Sequence, residues 1–111
     1  MNRIEIAGTF DKEPSIRSID RPTGSTELAT ASLTFTATRG DKEVKMWVDV
    51  EAVGKKAHEL QDIPLNIPVK VTGALERAAW KDKQTEEWRS KHFIRYEDAE
   101  YAPVPESDIP F

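Results

Sequence analysis

The sequence predicts an all-β domain, five strands rolled into a small barrel with one short helix, and three observations predict it. Hydrophobic residues recur with a period of two in several separate segments, which is the mark of strands with one buried face. Clusters of turn-forming residues divide those segments, and the one stretch with helical spacing is only about two turns long. A chain of 111 residues holds one core and leaves no room for a second.

Ile4, Ile6 and Phe10 share a parity and form the first strand, with Gly8 between them where a barrel strand bends. Asp20 to Ser25 reads DRPTGS, a set of turn formers expected to make an exposed loop. The second strand has the clearest alternation. Ala29, Ala31, Leu33, Phe35 and Ala37 lie on one side, and Thr30, Ser32, Thr34, Thr36 and Thr38 on the other. After a turn at Arg39-Gly40-Asp41-Lys42, the third strand points Val44, Met46, Val48, Val50 and Ala52 inward and Lys45, Trp47, Asp49, Glu51 and Val53 outward.

Gly54 stops that strand, and Lys55 to Gln61 is expected to form the helix with Ala57 and Leu60 facing the barrel. Ile67, Val69, Val71, Gly73 and Leu75 give the inward row of the fourth strand, which runs on beyond Leu75. The polar run Lys81 to Glu87 makes a hairpin tip, and Trp88 to Tyr101 supplies the fifth strand. Its register is open, because Phe93 and Ile94 are adjacent and one must face outward unless a bulge intervenes. Three strands, a small helix and two strands is the order of an OB-fold, a five-stranded Greek-key barrel. The barrel is expected to occupy residues 1–102. Residues 103–111, rich in proline and acid, form a tail in which backbone order is expected to fade.

The bulk composition narrows the function. With 38% hydrophobic and 32% charged residues the chain reads as a water-soluble globular domain, and no apolar run is long enough to span a bilayer. Arg3 and Glu5 interrupt any signal-peptide core, so a cytoplasmic location is expected. Zero cysteines exclude disulfides and thiolate metal sites. The two histidines fall on different elements, and neither a metal-ligand spacing nor a phosphate-cradling glycine loop occurs, so no metal, no cofactor and no catalysis are expected. The net charge of −4 argues mildly against a nucleic-acid partner. Distribution matters more than the total: outside the tail, 102 residues carry 16 basic and 18 acidic side chains, and such a body still has room for a basic face.

The candidate binding residues are aromatic and basic. Trp47 stands in the polar row of the third strand beside Lys45, and the parity of the fourth strand places Trp80 outward, in line with Lys70 and Thr72. Exposed indoles suit a platform on which unpaired bases stack. Lys45, Lys55, Arg77 and Lys81 lie near them in sequence and suit phosphates. Trp88 is a third candidate, for which core packing is as good a reading. The plain alternative for all three indoles is packing under a loop or in a subunit contact.

These segments resemble bacterial-type single-stranded DNA-binding proteins. Asn2-Arg3-Ile4-Glu5-Ile6-Ala7-Gly8 and Glu13-Pro14-Ser15-Ile16-Arg17 are similar to the family's opening, and Met46-Trp47-Val48-Asp49-Val50 to its third strand. Val53-Gly54-Lys55-Lys56-Ala57-His58-Glu59 is similar to its helix start, Val69 to Leu75 to its fourth strand, and Trp80-Lys81-Asp82 to its next hairpin. Asp108-Ile109-Pro110-Phe111 resembles its docking tip for replication, repair and recombination proteins. The resemblance implies an OB-fold subunit of a homo-oligomer, a tetramer first with a dimer as the alternative, that coats single-stranded DNA without sequence preference. It implies stacking by Trp47 and Trp80, and strand contacts from Arg3, Arg17 and Lys55.

Three departures stand out. Val53 occupies a position where the family commonly has a stacking phenylalanine, the aromatic often found after the second strand is missing around Arg39, and no glycine-rich linker precedes the tip. The last of these resembles the minimal form that a phage or mobile element would encode. The tip also has a physical reading of its own: Ile109 and Phe111 are apolar anchors, Pro110 stiffens the peptide, and Asp108 and Glu106 suit a basic-rimmed pocket. Two other functions fit the same residues, an OB-type adaptor acting through protein contacts and a binder of single-stranded RNA.

Overall fold

The computed structural model describes residues 1–101; the tail from residue 102 onward, with the docking tip Asp108–Phe111 and the expected domain boundary, lies outside the described residues. The elements run β1 (Ile4–Phe10), β2 (Ser15–Arg21), β3 (Gly24–Arg39), β4 (Lys42–Val53), α1 (Lys55–Gln61), β5 (Val69–Lys81) and β6 (Trp88–Tyr101). Five strands close a barrel in the order β1-β5-β6-β4-β3 and back to β1, while β2 is a sixth strand paired to β3 alone. All ladders are antiparallel except β4–β6, a short parallel pairing at Val50↔Ile94 and Glu51↔Arg95. The predicted five-stranded barrel with a helix between β4 and β5 is the observed fold.

Closure depends on β1 changing partners. From Ile4 to Gly8 it pairs with β5, and at Thr9 and Phe10 it pairs with β3. The switch occurs at Gly8, where a Cβ would lie 2.1 Å from the Thr34 carbonyl oxygen. Only a residue without a side chain lets the two backbones meet. The same holds at Gly73, where a Cβ would sit 2.2 Å from the Arg95 carbonyl oxygen. The other end of β1 is fastened by Asn2, whose side-chain amide donates to the Leu75 carbonyl at 2.8 Å and accepts from the Leu75 N–H at 2.8 Å. One side chain thus extends the β1–β5 ladder as a further residue of backbone would.

The core is what the alternation dictates. Phe10, Leu33, Val50, Val69, Val71 and Ile94 are fully buried, and α1 lays Ala57 and Leu60 across them. Burying each large apolar side chain contributes about 1.5–3 kcal/mol, so this cluster outweighs any single polar contact on the surface. Tyr96 completes it, and burial pushes its phenol up to about 12. No helix among the described residues is long and apolar enough to cross a membrane.

Four expectations are corrected. Asp20 to Ser25 is no loop: Asp20 pairs with Ser25 and Arg21 with Gly24, so only Pro22 and Thr23 turn. Strand β2 had no readable alternation because it is an edge strand with both faces largely exposed. Ile67 lies before β5 and is exposed, since Pro68 cannot donate to a ladder. Leu75 is exposed too, lying beyond the last β1–β5 backbone pair, Ile4↔Gly73. Phe93 and Ile94 are both buried without a bulge between them; the register shift falls at Thr72/Gly73, opposite Glu97. Ile94 faces the core, and Phe93 is covered on the outer face by charged side chains.

The β5–β6 hairpin tip is organised by Asp82. Its carboxylate accepts from the N–H groups of Gln84 (2.8 Å) and Thr85 (3.2 Å) and from Arg89 Nε (2.8 Å). Those backbone hydrogen bonds, and then Arg89, hold its pKa below the ordinary aspartate value.

Two outcomes follow. Gly8→Ala is expected to cost more than about 2 kcal/mol, because the obstructing atom is backbone; thermal melts read this as a fall of roughly 10 °C or more. A melting temperature within a degree of wild type excludes the closure argument. For Asp82, a depressed folded pKa means that its stabilising contribution is complete at neutral pH and is lost as pH falls through that value. A carboxyl 13C titration is therefore expected to show a midpoint below about 3.9, the unfolded reference, and a midpoint at or above it contradicts the loop geometry.

Candidate nucleic-acid interface

On the side of the Val50↔Ile94 pair towards the strand starts at Lys42 and Trp88 the ladder between β4 and β6 ends, and the hairpins β3–β4 and β5–β6 continue as two arms. The outer rows of these arms carry the functional candidates. On β6 the row is Arg89, Lys91, Phe93 and Arg95; cross-strand pairing sets Trp80 beside Arg89, Ala78 beside Lys91 and Glu76 beside Phe93 on the same face of β5. On β4 the outer row is Lys45, Trp47, Asp49, Glu51 and Val53, as the period of two requires.

These rows and the overhanging β2 enclose a hollow of about 710 Å3. Strand β2 contributes Arg17, Ile19 and Arg21 as one wall, Trp80 and Ala78 form the other, and Phe93 lies in the floor with Glu51, Lys91 and Arg95. Phe93 is only 4% exposed because cations lie over its ring: Lys91 Nζ is 5.5 Å and the Arg95 guanidinium 5.2 Å from the centroid. A smaller hollow of about 320 Å3 lies at Trp47, lined also by Lys45, Thr34, Ser32 and the β1–β2 loop residues Asp11 and Lys12.

The charges of the main hollow are partly committed. Lys91 Nζ is 2.6 Å from Glu51 Oε2 and 3.9 Å from Asp49 Oδ2, tying the two arms together. Glu51 is 7% exposed, the one buried charged residue among those described, and Lys91 is what makes its burial tolerable. Arg95 Nε donates to Glu76 at 2.9 Å, and Arg95 Nη1 is buried with no hydrogen-bond partner among the described residues. Arg17 and Arg21 make no ion pair among the described residues.

The structure brings some of the sequence-predicted residues together and separates others. Trp47 and Trp80 are 68% and 44% exposed, so neither indole is sealed in the core. Arg17 and Trp80 share the main hollow, and Lys45 and Trp47 share the smaller one. Trp88 is 75% exposed, which excludes core packing, but it pairs with Lys81 and so lies on the opposite face of the hairpin from Trp80. Arg77, paired with His92, points to that opposite face as well. Lys55 opens α1 in solvent. Arg3 is exposed and bonded to Glu5 at 2.7 Å, which raises its own pKa and lowers that of Glu5. Val53, at the departure from the family pattern, lines the main hollow.

Sequence reasoning missed Arg21, Phe93 and Arg95. A signal existed: Arg89, Lys91, Phe93 and Arg95 recur at every second position, a basic row around one aromatic. Its reading needed the register of β6. Among the described residues no group of three or more His, Asp or Glu side chains is placed to hold a metal ion.

The barrel is of the OB type. No family model matches the chain, and no curated protein matches it. Among solved structures it is similar to the protein priB from Ralstonia solanacearum, with 15% sequence identity and a TM-score of 0.62, over 92% of this chain and 99% of that one. At that identity the likeness concerns the fold.

The buried ion pair gives a measurable outcome. Lys91→Ala is expected to cost about 1–3 kcal/mol by stranding the Glu51 carboxylate, and adding Glu51→Ala is expected to recover part of that loss. Denaturant melts of the two single variants and the double variant measure the coupling, and strictly additive effects contradict it.

Proposed function

We propose that this chain binds single-stranded DNA without sequence preference and performs no reaction. The single observation that carries this reading is the pair of uncovered indoles, Trp47 and Trp80, each beside a cation on the outer rows of the two arms. Bases stack on flat rings whatever their identity, and phosphates favour Lys45 and Arg17 near those rings. The similar barrel of the protein priB and the OB-type resemblance of the sequence support the same reading. Coating and protecting strands in replication, recombination and repair is the role this binding serves.

The proposal extends to partners. Asp108, Ile109, Pro110 and Phe111 would dock replication, repair and recombination proteins, with Phe111 and Ile109 as anchors. Exposed Leu75 and Trp88 on the far face of the β5–β6 hairpin support a homo-oligomer; the resemblance of the sequence favours a tetramer before a dimer, and the reading places the protein in the cytoplasm. Arg77, Lys81, Lys55 and Arg3 stay secondary as strand contacts, because they line neither hollow.

One observation favours a second reading. The carboxylates of Glu51 and Glu76 already hold Lys91 and Arg95, which suits an adaptor whose indoles bury in a protein contact. Under that reading Trp47→Ala and Trp80→Ala change the oligomeric mass and leave DNA affinity alone.

Oligo-dT is expected to quench the tryptophan fluorescence, with affinity falling as salt rises. Trp80→Ala is expected to lose about 1–3 kcal/mol of binding, and Trp88→Ala, on the other face, much less. No quenching and no gel shift at low salt rules the proposal out. A matched RNA oligomer binding more tightly than the DNA reassigns the strand.

A further inference from the structure

The main hollow contains more cationic side chains than the proposed stacking requires, and they are not equivalent. Lys91 is held by Glu51 at 2.6 Å and by Asp49 at 3.9 Å, so its charge is neutralised where it stands. Arg17 and Arg21 line the hollow from β2 with no acidic partner among the described residues. Arg95 is divided: Nε donates to Glu76, Nη1 is turned away from solvent, and 35% of the side chain stays exposed. An anionic oxygen suits cations left without a carboxylate, whereas a neutral base edge leaves them uncompensated.

Resting on the strand-binding reading above, we infer that this hollow is a phosphate subsite, with Arg17 and Arg21 as its wall and the exposed part of Arg95 beside them, and that Lys91 takes no part in it. Arginine suits the task, since its planar fork donates to two phosphate oxygens at once. Trp80 closes the opposite side, so the base attached to that phosphate has a ring to lie on. The Glu51–Lys91 pair acts instead as a brace between β4 and β6. It explains how a hollow can show cations in its lining and still neutralise fewer phosphates than its lysines and arginines number.

Salt dependence separates these roles, because each phosphate neutralised on a single strand adds about 0.7 to the slope of log affinity against log salt. The experiment titrates an oligo-dT of about 15 nucleotides, near the upper site size of one such barrel, against the full chain at several salt concentrations. Arg21→Ala and Arg95→Met are each expected to weaken binding and to reduce the slope by about 0.7. The double variant Lys91→Met/Glu51→Gln, which removes the ion pair as a unit, is expected to keep the wild-type slope. Because Arg95 also covers Phe93, circular dichroism checks each variant, and Arg21→Ala on the exposed strand β2 carries the test alone if Arg95→Met unfolds. Wild-type slopes in the arginine variants overturn the subsite, as does a reduced slope in the double variant. Absence of any dT binding by the wild type removes the strand-binding reading itself, and the subsite with it.

Discussion

Everything in this molecule is positioned by the place where β1 leaves one neighbour and joins another. A five-stranded sheet closes only if one strand serves both edges, and β1 does so by bending at Gly8 until its backbone lies against the Thr34 carbonyl. Closure buries Phe10, Leu33, Val50, Val71 and Ile94 against one another and lets α1 cover the remaining opening. It also fixes the angle at which the long hairpins leave the barrel. The arms β3–β4 and β5–β6 are continuations of closed-barrel strands, so the hollow between β2 and the β5–β6 arm inherits its shape from the core.

The electrostatics of that hollow bear on how an acidic chain would take the polyanionic ligand proposed for it. A net charge of −4 is a sum over the whole surface, whereas binding depends on charges that face one strand. Here carboxylates occupy some of the cations and leave others. Glu51 and Asp49 take Lys91, Glu76 takes one edge of Arg95, and Arg17 and Arg21 remain on β2. The buried Glu51–Lys91 contact costs desolvation and contributes little net stability, yet it holds β4 and β6 together just where their ladder stops. A dense cation cluster without such carboxylates would repel itself and loosen the arms.

The phenylalanine expected near position 53 has a counterpart elsewhere. Val53 lines the hollow that Phe93 floors, so an aromatic ring is present there but on β6 and beneath two cations. Under the proposed reading, stacking would therefore rest on Trp80 and Trp47, which are exposed on the arms, more than on the barrel's own surface.

Period-two alternation determined the barrel, because burial on one face forces it: β3 and β4 match their predicted rows residue by residue, and Gly54, Ala57 and Leu60 announced the helix. The same alternation placed Trp47 and Trp80 outward. Strand β2 stayed hidden because an edge strand with two exposed faces carries no pattern, and with it went the wall bearing Arg21. Only tertiary structure decided that Trp88 faces away from Trp80, that Phe93 lies under Lys91 and Arg95, and which cations carboxylates hold. Register between strands is set by closure and by the Glu97 irregularity, and one residue of register exchanges the two faces of a strand.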